Sequence, residues 1–95
     1  LQTAGHPAHL AELPDGRILM TYGWRIPDHG IRAVWSSDNG RTWSDPVILR
    51  AGMGNANLGY PCTIHCNDGS LLSLYYGEDE SSTTCIQSTR WSLPD

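Results

Sequence analysis

The chain has no phenylalanine. Its aromatic residues are four Trp and four Tyr among 95 residues. Trp and Tyr suit surfaces that are apolar yet offer a hydrogen bond, as sugar-binding surfaces do. Basic residues are also scarce, with six Lys and Arg against ten Asp and Glu and a formal net charge of −4. No basic stripe forms, which argues against nucleic acid and anionic membrane as partners. Long hydrophobic runs are missing, so the sequence predicts neither a transmembrane segment nor a signal peptide. The acidic run Glu78-Asp79-Glu80 reads as a solvated loop. The chain opens at Leu1, not Met, straight into strand-like sequence. That predicts a piece of a longer protein and assigns no compartment.

Cysteine is limited to Cys62, Cys66 and Cys85. On one strand, Cys62 and Cys66 would stand ~13 Å apart at ~3.3 Å per residue. That is too far for a disulfide or a shared metal ion. Free thiols are expected, with no metal and no cofactor.

Helix signals are also lacking. No window keeps apolar positions at the 3.6 period, and Gly or Pro interrupts often. What is there is a series of short β-type runs: His9–Leu13, Arg17–Trp24, Gly30–Ser36, Asp45–Arg50, Pro61–Cys66, Ser70–Gly77 and Thr83–Trp91. Pro14-Asp15-Gly16 and Asn67-Asp68-Gly69 read as hairpin turns, because glycine accepts the positive φ needed there. The chain also repeats itself. Gly5–Gly23, "GHPAHLAELPDGRILMTYG", matches Gly59–Gly77, "GYPCTIHCNDGSLLSLYYG". A period of roughly fifty residues built from antiparallel strands is the pattern of β-propeller blades. The expected fold is therefore all-β, about two four-stranded antiparallel blades. Residues 1–54 would form one blade and residues 55–95 the next, incomplete one. Two blades do not close a propeller, so the remaining blades of a parent chain are implied as partners.

"SSDNGRTW" (Ser36–Trp43) fits the Asp-box pattern S-x-D-x-G-x-T-W at every defined position. Its chemistry is local. Asp38 can accept backbone N–H bonds across a tight turn, Gly40 takes positive φ, Ser36 and Thr42 add hydroxyls, and Trp43 plugs the hairpin. A calcium loop would need more oxygen ligands than Asp38 and Asn39 offer. The expectation is a structural clasp.

With this box, the chain resembles the sialidase (neuraminidase) superfamily and its Asp-box relatives. The likeness runs on through "TYGWR", "GIRA", "LGYP" and "NDGSLLSLYYG", and is similar to the C-terminal blades of a six-bladed sialidase propeller. The resemblance implies an exo-acting glycoside hydrolase that removes terminal sialic acid with retention. Tyr60 falls on the nucleophilic tyrosine. Arg25 falls on the last arginine of the triad that grips the substrate carboxylate. A neutral phenol suits attack beside a carboxylate better than a second carboxylate would. An arginine can hold a carboxylate by two parallel N–H bonds. Arg32 is a competing substrate contact, and His6 occupies in the first repeat the place of Tyr60 in the second. Alternatively Tyr60 caps a strand before Pro61, and Arg25 pairs with Asp28 on the surface. The family usually has Glu after Leu-Tyr, where this chain has Tyr76. The general acid, the base and two further arginines would lie outside this chain. Two other functions remain open: a non-catalytic Asp-box propeller that binds glycans or proteins, and a glycosidase for another sugar.

Overall fold

The computed structural model describes residues 5–25, 29–55, 57–78 and 81–93, with backbone only for Gly5, His6 and Pro7. The described residues form seven strands joined by turns and loops, and no helix occurs among them. They are β1 (Gly5–Glu12), β2 (Ile18–Trp24), β3 (His29–Ser36), β4 (Val47–Met53), β5 (Gly59–His65), β6 (Leu71–Glu78) and β7 (Thr84–Trp91). They form two antiparallel sheets, a four-stranded one in the order β1-β2-β3-β4 and a three-stranded one in the order β5-β6-β7.

The two repeats agree down to individual hydrogen bonds. In the β1–β2 hairpin the Leu13 amide donates to the Arg17 carbonyl, and the Gly16 amide to the Leu13 carbonyl. In the β5–β6 hairpin Cys66 bonds Ser70 and Gly69 bonds Cys66 in the same way. The turn glycines match too, at φ 89° for Gly16 and 88° for Gly69. Asp15 and Asp68 each accept the amide two residues on, at 3.0 and 2.9 Å. Those bonds, with the neighbouring Arg17 and Ser70 side chains, hold both carboxyls below the usual range.

β1 and β5 begin earlier than the apolar pattern predicts, at Gly5 and Gly59. The reason lies in the Gly-X-Pro triplets. Each interrupts the ladder with a register shift, between Gly5 and Ala8 in β1 and between Gly59 and Cys62 in β5. A proline cannot donate to a ladder, so it is tolerated only where a strand is an edge or bulges. β1 and β5 are both edge strands.

The sheets stack face to face with matching edges, β1 beside β5 and β4 beside β7. Period-2 alternation sets which side chains go inside. Along β6, Leu71, Ser73, Tyr75 and Gly77 are buried while the residues between them are less so. One apolar cluster gathers Leu13, Leu19, Ala33 and Leu71, with Trp35, Trp91 and Leu93 against it. A second gathers Ile31, Met53, Leu58 and Tyr75. A run of hydroxyls crosses the interface between the sheets. Trp91 Nε1 donates to Ser73 Oγ at 2.9 Å, Ser73 meets Thr63 Oγ1 at 2.7 Å, and Thr63 bonds Thr21 at 3.2 Å. All three hydroxyl residues are buried. Each therefore needs a partner, and the run supplies one.

The side of β5-β6-β7 turned away from the first sheet is different. Ile64, Leu74 and Ile86 lie there, 50 %, 40 % and 76 % exposed.

Candidate functional site

The register puts one end of both sheets in order. Trp24 pairs with Gly5 and Gly30, and Tyr76 with Gly59 and Ile86. So the ends of β2 and β6 meet the starts of β1, β3 and β5 there. Arg25 follows β2 directly, and Tyr60 is the second residue of β5. The structure thus gathers Arg25, Tyr60 and Tyr76 at one end.

Arg25 is half-buried and fixed by a buried neighbour. Its Nε and Nη2 both donate to the Leu58 carbonyl, at 3.2 and 2.9 Å. Leu58 itself is fully buried. Nη2 also donates to the Tyr76 hydroxyl at 3.3 Å. The side-on fork of the guanidinium, Nε with Nη2, is therefore already engaged by protein. The sequence suggested a free fork for a carboxylate, and the structure places a carbonyl in it. Asp28, the alternative surface partner, lies outside the described residues. Among the described residues Arg25 has no ion pair.

Tyr60 projects its side chain outward, 67 % exposed, from a backbone in the left-handed region at φ 48°. An aromatic residue there is uncommon, and such strain clusters at functional positions. Gly59 before it, at φ 127°, takes up the rest of the irregularity. The Tyr60 ring lies 5.7 Å from the Tyr76 ring, tilted by 31°, within the range of a favourable aromatic pair. No described residue hydrogen-bonds the Tyr60 hydroxyl. A hollow of about 170 Å³ opens beside the pair, lined by Tyr60, Cys62, Leu74, Tyr75, Tyr76 and Ile86. Two larger hollows, about 700 and 390 Å³, are lined by other residues and touch neither Arg25 nor Tyr60.

Among the described residues no hydrogen bond joins the other candidates to Arg25, Tyr60 or Tyr76. Arg32 stacks its guanidinium 4.2 Å over the Trp24 ring, a cation–π contact. His6 sits in β1, but its side chain lies outside the described residues. His9 serves the stacking of the sheets, accepting the Thr63 amide at Nδ1 at 3.3 Å. The three cysteines are free, with Cys62 exposed.

Ser36–Trp43 lies at the opposite end. Ile18 pairs with Ser36, while Trp24 pairs with Gly30. β2 is roughly 20 Å long at ~3.3 Å per residue, so the segment stands about that far from Arg25. Its bonds are all local. Asp38 accepts Ser36 Oγ at 2.7 Å, and the Thr42 amide and hydroxyl at 2.8 and 2.5 Å. Gly40 N donates to Ser36 Oγ, and Trp43 Nε1 donates to the Gly40 carbonyl. Asn39 and Gly40 both take positive φ, at 62° and 87°. The Thr42 hydroxyl and amide, with Ser36, hold the Asp38 carboxyl at about 2, below its usual 3.8.

Tyr76 is the member that sequence reasoning passed over. It reads there as a departure from a glutamate. Its position opposite Gly59, beside Tyr60 and within reach of Arg25, depends on register between strands far apart in the chain.

These features define a class: two stacked antiparallel β-sheets from one repeated unit, carrying an arginine–tyrosine cluster at one end. The chain is similar to a solved structure, an unknown function protein from Dyadobacter fermentans DSM 18053, at 30 % identity and a TM-score of 0.82. The likeness covers 95 % of this chain and 25 % of that one, so the chain spans about a quarter of that protein. No protein-family model matches the chain, and no curated protein does.

Proposed function

We propose that the chain forms two adjacent blades of a six-bladed, sialidase-type β-propeller, and that it supplies part of a glycoside hydrolase site for terminal sialic acid. The observation that carries the reading is the grouping of Arg25, Tyr60 and Tyr76 at one end of two stacked sheets whose edge strands β1 and β5 lie together. In a propeller those edges would line the central channel, and loops at one mouth would form the site. Three further points support it. The strand order runs from one edge to the other in both sheets. Ile64, Leu74 and Ile86 leave an apolar face that a further blade would cover. The similar structure is long enough to hold such blades.

In this reading Tyr60 Oη bonds to the anomeric carbon as the glycosidic C–O bond breaks. The phenol proton goes to a base, and the departing alcohol takes a proton from a general acid. Water then cleaves the tyrosyl–glycosyl bond and restores the phenol. Acid, base and two further arginines come from outside the chain. Arg25 holds the substrate carboxylate, and its lack of an ion partner among the described residues leaves its charge available. The test is turnover of a fluorogenic sialoside by the full-length parent protein. Tyr60→Phe should abolish it, and unchanged turnover would remove Tyr60 from the site.

One observation favours a second reading, a propeller that binds an anionic glycan without cleaving it. Tyr76 stands where the resembled family has a glutamate, and its neutral hydroxyl meets Arg25 at 3.3 Å, so the anion-binding end departs from the catalytic pattern. Retained sialoside binding without turnover in the parent would select this reading.

A further inference from the structure

We infer that Tyr76 is a ligand-binding residue: its hydroxyl and Arg25 Nη1 together form the two-point grip for a carboxylate. The inference rests on the reading of Arg25 as the anion-binding residue, and follows from counting donors. A guanidinium has five N–H groups. Nε–H and one Nη2–H are directed to the Leu58 carbonyl, and another Nη2–H to Tyr76 Oη. Neither Arg25 fork is free, because each needs an Nη2 or Nε hydrogen already in use. The two Nη1 hydrogens remain, with no partner among the described residues.

Tyr76 completes the set. Its oxygen accepts from Arg25, so its own O–H stays available to donate. No described residue takes that proton. Accepting a bond from a cation polarises the phenol and makes it a stronger donor. One carboxylate oxygen would sit on Arg25 Nη1 and the other on the Tyr76 O–H. The Leu58 carbonyl fixes the guanidinium, and the Tyr60 ring, 5.7 Å away, braces the Tyr76 ring. The same contact ties the anion grip to the tyrosine placed at the anomeric carbon.

The experiment uses the full-length parent protein, with acetate as the minimal carboxylate. A second ligand is the 2,3-didehydro analogue of N-acetylneuraminic acid, and its methyl ester serves as the neutral control. Arginine ¹⁵N signals report binding at Arg25, and calorimetry reports affinity. Tyr76→Phe keeps the ring and removes only the hydroxyl, and circular dichroism checks that it folds. Loss of one hydrogen bond to a charged group should weaken acetate and the acid analogue about tenfold to a hundredfold. The methyl ester should be unaffected, which a purely structural role of Tyr76 would not produce. If Arg25→Lys weakens acetate binding but Tyr76→Phe leaves it at the wild-type level, the role of Tyr76 is overturned and that of Arg25 stands. If acetate binds through both residues but the acid analogue does not bind, the sialic acid reading fails and the grip stands. If acetate leaves the Arg25 signals unmoved, both fall.

Discussion

Thr63→Val tests the hydroxyl run that crosses between the two sheets. Valine has nearly the shape of threonine, so no cavity forms and the change isolates the hydroxyl. Two bonds disappear, to Thr21 at 3.2 Å and to Ser73 at 2.7 Å. Ser73 keeps its bond from Trp91 Nε1 but loses the acceptor of its own O–H, because Thr63 gives its proton to Thr21. Thr21 does not fare as well: it is fully buried, and Thr63 is its hydroxyl partner. A buried hydroxyl left without a partner costs about 1–3 kcal/mol, more than the net worth of the bond itself. Thr63→Val should therefore destabilise by about 2 kcal/mol. Removing both hydroxyls should cost less than the sum of the single changes. With Thr21→Val in the same chain the Thr21 orphan is gone and only the Ser73 O–H lacks an acceptor, so a coupling of about 1 kcal/mol should appear in the double-mutant cycle. Urea denaturation followed by tryptophan fluorescence measures this, with equal m-values required for the comparison. Additive effects, or a Thr63→Val midpoint equal to that of the wild type, would refute the claim that the run holds the sheets together.

Two glycines should respond differently to the same change. A methyl group at Gly30 would overlap the Arg50 backbone carbonyl, which cannot step aside, while one at Gly77 would meet the flexible end of Met53. Gly30→Ala should cost about 3 kcal/mol and Gly77→Ala about 1 kcal/mol; thermal melts of the two variants give the order, and its reversal would refute the account. Acid should loosen the Ser36–Trp43 turn. The folded-state value of Asp38, about 2, lies below its usual 3.8, so its contribution is present above 3.8 and is lost as pH falls through about 2. Asp15 and Asp68 are lowered as well and add to the same acid limb. Asp38→Asn should thus flatten, but not abolish, the fall in melting temperature across that window, and an unchanged slope would rule Asp38 out. Arg32→Met should remove the cation–π contact over Trp24 at a cost of about 0.5–1 kcal/mol, read from chemical denaturation; no change beyond error would make the stack incidental.

Local chemistry was easy to read in the chain, and long-range chemistry was not. The Asp15-Gly16 and Asp68-Gly69 turns are visible because a turn needs only its own residues, and the structure closes both with the same bonds. The all-β character follows equally from short runs broken by Gly and Pro. The starts of β1 and β5 reach back to Gly5 and Gly59, ahead of the apolar runs at His9 and Pro61, because an edge strand tolerates the register shift at each Gly-X-Pro triplet. The partners of Arg25 could not be read at all. Leu58 and Tyr76 are brought to it only when the second sheet stacks on the first, and no period in the sequence marks that event. Thr21, Thr63 and Ser73 were hidden for a similar reason. Alone, each is one polar residue in a strand, and only stacking turns them into a connected run.

The bulge that opens β5 has a counterpart at the start of β1, at the same place in the repeat. One raises Tyr60, and the other spans His6. Tyr60, between Gly59 and Pro61, carries neither the hairpin nor the apolar clusters. It can therefore be exchanged while the sheet beneath it stays the same. A chain that duplicates such a unit gains a second mounting point of fixed shape and unfixed chemistry. Its copies can specialise without each having to solve the folding problem again.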